Sequence, residues 1–212
     1  MGGRGASAGG RESGGGKLDP SDILSTSEMI TQRGERQAEV DAVLSVLRDF
    51  NNEYGTVIGE AQVATLAPGT NAMAYFDGDN IAVNESYFNN ARMQTAYDSC
   101  VDSGYHPSRG KKSAMEAVAA HEVGHKLTAD VAVKMGRKSY DIDGTAEAVV
   151  KEARKQTKHK GVVQMSRKIS RYATTSNAEA VAEAVSDVYC NGSKARAESR
   201  AIVGVLNKYL KS

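Results

Sequence analysis

Residues 116–133 read EAVAAHEVGHKLTADVAV. Alanine, valine and leucine dominate and proline is absent, so the stretch predicts one long helix, from about Ser113 to Met135, that wants to be buried. Yet its apolar run carries His121, Glu122 and His125. Residues four apart lie on one helix face, so the two imidazoles can be aimed at a single point. Glu122 is rotated about 100° from His121, a poor position for a third ligand and a good one for touching a water held at that point. Nitrogen donors at this spacing suit a divalent ion, zinc above all, which takes four ligands in a tetrahedron. A chance match to this pattern in a chain with four histidines is on the order of one per cent. Gly124, between the histidines, leaves room for a neighbouring backbone to come close.

A third protein ligand must come from elsewhere. The metzincin continuation, HExxHxxGxxH, is excluded because Thr128 and Val131 stand at its glycine and histidine positions. His159 lies in the basic stretch TKHKG, a poor neighbourhood for a dication, while spacing alone leaves Asp130, Asp141 and Asp143 open. The stronger candidate is SNAEAVAEAVSDVYCNG, 176–192, a capped helix that ends at Gly192. Glu179, Glu183 and Asp187 recur every four residues there, an acidic stripe on a helix otherwise built of alanine and valine. Two phasings are physically equivalent. Either Glu179 binds with Glu183 one turn on, or Glu183 binds with Asp187 one turn on, the second carboxylate orienting a ligand histidine.

Around these two helices the chain reads as α+β, mostly helical with a small mixed sheet. Helices are expected over 35–53, with Val40, Val43, Leu44 and Leu47 inward, and over 88–102, 144–158, 161–170 and 194–210. GTVIGEAQVATLA (55–67) reads as a strand, and AMAYF and IAVN flank DGDN (77–80) as a hairpin. PSDILSTSEMITQRG, 20–34, reads as a short helix and a loop. Residues 1–17, rich in glycine and serine, read as a flexible tail, leaving 18–212 as a single domain.

Bulk properties narrow the class. A net charge of +1 gives no electrostatic footprint for nucleic acid, despite the basic run KEARKQTKHK, 151–160. The two cysteines, Cys100 and Cys190, form no CxxC pair and suit a reducing compartment. No run of about 18 apolar residues predicts a membrane span, and the tail lacks the apolar core of a secretory signal. A cytoplasmic protein is expected, without membrane or nucleic-acid partners.

The motifs resemble those of the gluzincin group of zinc peptidases, in which a downstream helix supplies a glutamate. EAVSD, 183–187, is similar to the thermolysin-type helix. SRYATTSNAEAVAEAV, 170–185, is closer to anthrax lethal factor-type catalytic domains and to metallopeptidase domains of phage and mobile elements. GYHPSRGKKSAMEAVAAHEVGH, 104–125, resembles the phage-associated form, where a Gly-aromatic-His-Pro segment leads into the helix. The likeness spans roughly 71–190 and is strong only at the motifs. It implies a zincin-like fold and a Zn2+-dependent endopeptidase acting on peptide or protein substrates. Carried over residue by residue, His121, His125 and Glu179 become the metal ligands and Glu183 the residue supporting a ligand histidine. Glu122 becomes the general base, and Tyr172 the hydroxyl that steadies the developing oxyanion. The hairpin strand becomes an edge along which an extended peptide docks. Thermolysin-like substrate-binding signatures are missing, so no substrate carries over. His106, in a loop before Pro107, is a candidate to assist the chemistry but reads more readily as structural or exposed. The alternative is a metal-binding structural or interaction module, without turnover, in a virion or mobile-element assembly.

Overall fold

A computed structural model describes residues 4–7, 22–32 and 34–212. The described chain is α+β: seven α-helices, with a small sheet laid against one of them. Strands β2 (Ile23–Glu28), β3 (Ala61–Leu66), β4 (Ala72–Phe76) and β5 (Ile81–Asn84) form a mixed sheet, and β1 (Arg4–Ser7) adds to the β4 side, giving the order β1-β4-β5-β3-β2. Only β3 and β5 run parallel.

The β4–β5 hairpin closes through Asp77, whose carboxylate accepts from the backbone N–H groups of Asp79 (2.9 Å) and Asn80 (2.8 Å). Gly78 sits at φ +116°, a conformation that favours glycine. The strand expected over 55–67 is shorter at its start, beginning at Ala61, and Gly59 instead donates to the Asp79 carbonyl. Two N-terminal expectations are corrected. The segment read as a short helix and loop is β2 followed by one 3-10 turn, Met29–Gln32, because β3 offers it a pairing edge. Within the tail read as flexible, residues 4–7 are strand β1, paired to β4; the rest of that reading, at 1–3 and 8–17, lies outside the described residues.

The helices are α1 (Gln37–Tyr54), α2 (Asn90–Asp102), α3 (Ala114–Lys134), α4 (Ile142–Lys155), α5 (Val162–Ile169), α6 (Asn177–Asn191) and α7 (Ala197–Leu210). α3 is the central element. It packs most extensively on α6, and also on α1, α2, α4, α7 and β4. That explains why its sequence is apolar on every side rather than along one stripe. A capping box fixes its start: the Ser113 hydroxyl accepts from the Glu116 N–H, and the Glu116 carboxylate accepts from the Ser113 N–H. α1 turns slightly from its expected face: Val40, Val43, Val46 and Phe50 are buried, whereas Leu44 and Leu47 are only half-buried. Among the described residues no helix is long and apolar enough to cross a membrane.

Gly124 marks the closest approach of α3 to α6. A Cβ there would lie 2.7 Å from the Ala182 Cα and 3.2 Å from the Val185 Cβ. The first contact is with backbone, so the helices would have to separate. Gly124→Ala therefore loses about 1–3 kcal/mol to overpacking, more than the ~1 kcal/mol that alanine adds in helix propensity. A lower midpoint of denaturant unfolding checks this; an unchanged or raised midpoint contradicts the close approach.

Candidate metal centre

α3 and α6 bring their polar residues face to face at this crossing. His121 Nε2 lies 3.1 Å from Glu179 Oε2, and His125 Nε2 lies 3.5 Å from the same oxygen. The imidazole centroids are 5.1 Å apart with planes at 80°. One donor atom from each of His121, His125 and Glu179 falls within 4.8 Å of the others, and this is the one such group of three among the described residues. The spacing fits a small cation. Ligands at 2.0–2.1 Å from a tetrahedral ion stand roughly 3.3–3.4 Å from each other. The two measured separations from Glu179 Oε2, 3.1 and 3.5 Å, bracket that edge. Two imidazole nitrogens and a carboxylate oxygen are also donors that zinc and its neighbours accept. The buried group can hold a metal ion.

Glu183, one turn further along α6, faces the other side of His121. Its Oε1 accepts from His121 Nδ1 at 2.9 Å and from His106 Nδ1 at 3.0 Å, and its Oε2 accepts from the Ser170 hydroxyl at 2.7 Å. A carboxylate can only accept, so His121 carries a proton on Nδ1 and turns Nε2 toward Glu179. The same orienting contact is what a ligand histidine ordinarily has behind it. Asp187, the third acid of the stripe, faces elsewhere. It accepts from the Ser199 hydroxyl (2.6 Å), the Arg196 N–H (2.9 Å) and Asn191 Nδ2 (2.9 Å), and so ties α6 to the start of α7. The phasing with Glu183 as ligand and Asp187 behind a histidine is not the arrangement found.

Electrostatics follow from burial and pairing. Burial pushes the Glu179 carboxyl up, but His125 and His121 outweigh it and hold the group well below the usual carboxylate range. Glu183 is likewise raised by burial and brought down to about 2 by His106 and His121. Burial opposes the charged form of His121, yet its pKa is raised well above the ordinary value by the hydrogen bonds the ring donates to Glu179 and Glu183. A cation at Nε2 must therefore displace a proton. The Tyr172 phenol is raised, first by burial and then by the charges of Glu179 and Glu122, so it stays a donor at neutral pH.

Tyr172 arrives through a backbone junction. The Arg171 N–H donates to the Gly104 carbonyl (2.9 Å), and the Tyr172 N–H to the Tyr105 carbonyl (3.0 Å). The loop before α3 and the turn before α6 are thereby joined. The Tyr172 ring lies 5.8 Å from that of His121, nearly parallel, and 5.4 Å from that of His106. His106 is not exposed: it is buried, stacked flat on Tyr97 at 5.3 Å, and paired with Glu183. Glu122, fully buried, sits on α3 between the two histidines.

The remaining candidates are engaged elsewhere. His159 pairs with Glu198 of α7 at 2.7 Å. Asp130 accepts from Thr56 and Lys126, and Asp141 caps α4 through the Gly144 N–H. Asp143 lies in the first turn of α4, outside the group of three. The sequence pointed to no role for Ser170, and of the two readings of His106, structural or exposed, the structure shows a buried side chain paired with Glu183. The signal for His106 was the run Gly104–Tyr105–His106–Pro107, but its partner Glu183 is 77 residues away and no local pattern points to it.

Comparison with protein-family models, curated proteins and solved structures returned no match for this chain.

Proposed function

We propose that the chain is a zinc-dependent peptidase of the gluzincin kind. The observation that carries this reading is the convergence of His121, His125 and Glu179 donor atoms within 4.8 Å, with Glu122 on the same helix. His121 and His125 of α3 and Glu179 of α6 would hold the ion. When bound, zinc supplies a Lewis acid that polarises a carbonyl and lowers the pKa of a water. The chain's own residues supply the rest. Glu122 removes the proton from the attacking water and delivers it to the leaving amine. Tyr172, protonated at neutral pH, donates a hydrogen bond to the carbonyl oxygen as it gains charge. Glu183, braced by His106 and Ser170, holds the His121 ring in the tautomer that leaves Nε2 available. The hairpin expected to offer a docking edge is interior to the sheet, β4 between β1 and β5 and β5 between β4 and β3, so an extended peptide adds to β4 only where β1 gives way.

A catalytically inert metal module is the competing reading, and the near-complete burial of the group speaks for it. Structural zinc is ordinarily closed by four protein ligands, however, and the described residues supply three. Incubation of the purified chain with casein and with a peptide library, with and without chelator, separates the two. Chelator-sensitive cleavage is expected; one metal ion per chain without any cleavage assigns the inert module. Tyr172→Phe keeps the ring and removes the donor. It should lower turnover by roughly 10²–10³-fold with little change in metal content. Full activity in that variant removes Tyr172 from the mechanism.

A further inference from the structure

We infer that strand β1 is a resident, displaceable occupant of the peptide-docking edge, so that the tail and a substrate peptide compete for β4. This rests on the peptidase reading and adds a regulation to it. β4 is bonded on one side to β5 and on the other to β1, with Arg4 opposite Phe76, Gly5 opposite Tyr75 and Ala6 opposite Ala74. Without β1, β4 is the sheet edge, presenting backbone N–H and C=O groups of the kind that recruit another strand. Both β1 and β4 lie against α3, the helix that carries His121, Glu122 and His125. The opposite edge belongs to β2, beyond β5 and β3.

Three features mark β1 as a replaceable partner. Among the described residues it joins the sheet through β4 alone, at Arg4–Ser7. Its register slips between Ala6 and Ser7, which interrupts the ladder. Its sequence, RGAS, has little strand preference of its own, so the extended form is imposed by the β4 template. His121, His125 and Glu179 are 2 %, 1 % and 6 % exposed. A peptide bond reaches such a group only after part of its cover moves. A longer, better-matched strand offers β4 the same backbone bonds without the slip.

The test uses the full chain with Gly5→Pro and Ala6→Pro together. Successive N–H groups of a strand point to opposite sides, so one of the two faces β4 and proline removes it. Hydrogen exchange should quicken at those amides of Ala74, Tyr75 and Phe76 that face β1. A fluorescent peptide of residues 1–10, MGGRGASAGG, should bind the double-proline chain more tightly than the parent, both measured with Glu122→Gln to prevent cutting. Cleavage of a peptide library should show a lower KM. Apparent affinity is scaled by the fraction of chains whose edge is open, so tighter binding, on the order of tenfold, is expected once the tail is displaced. Unchanged β4 exchange and unchanged peptide binding overturn the occupancy. Faster exchange with unchanged KM overturns the competition. Faster exchange and tighter peptide binding, with no cleavage by either chain, uphold the occupancy and reject the peptidase reading instead.

Discussion

Glu122→Gln should retain its metal and lower peptide hydrolysis by roughly 10²–10⁴-fold, the range ordinarily supplied by a positioned general base. The substitution is nearly isosteric, so the packing of α3 around this fully buried side chain is preserved. What changes is the ability to take a proton. Glu122 stands one position after His121 on the helix and outside the group of three converging donors, so the ion should stay. Paired metal analysis and single-turnover cleavage of a peptide check both halves. Normal turnover rejects the general-base role, and loss of the ion would make Glu122 a ligand.

Glu179→Ala and Glu183→Ala should differ sharply although the residues lie one turn apart on α6. Glu179 contributes the oxygen that stands 3.1 and 3.5 Å from the two imidazoles, so its removal leaves two protein donors. Glu183 acts through His121. Loss of such an orienting partner typically costs 10–100-fold in metal affinity. Its removal also takes the shared buried acceptor from His106 Nδ1, His121 Nδ1 and the Ser170 hydroxyl, so Glu183→Ala should be the less stable protein and the better metal binder. Titration against a competing chelator ranks the affinities, and denaturant unfolding ranks the stabilities. The reverse order of affinities would move the ligand to Glu183.

The helices of the site were legible because their chemistry is local. α3 shows two histidines at helical spacing in an apolar run, and α6 shows acids every four residues on an alanine-valine background. The β4–β5 hairpin was legible because Asp77 and Gly78 demand a turn. What the residues alone left open was which acid faces which histidine. Glu179, Glu183 and Asp187 are alike in sequence, and their separation arises from partners outside α6: His125, His106 and Ser199. β1 and β2 were illegible for a related reason. Neither RGAS nor ILSTSE alternates apolar and polar residues in sequence, and both become strands because β4 and β3 present edges to them. The inward face of α1 was displaced because Val46 and Phe50, rather than Leu44 and Leu47, point to the core.

The central claim is that one ion sits between two imidazoles of α3 and a carboxylate of α6. Diffraction from metal-loaded crystals, with anomalous data collected on either side of the zinc absorption edge, tests it most directly. The expected result is a single zinc peak per chain within about 2.0–2.2 Å of His121 Nε2, His125 Nε2 and a Glu179 oxygen. No peak at the α3–α6 crossing of a fully loaded sample, or a peak whose ligands exclude Glu179, would contradict it.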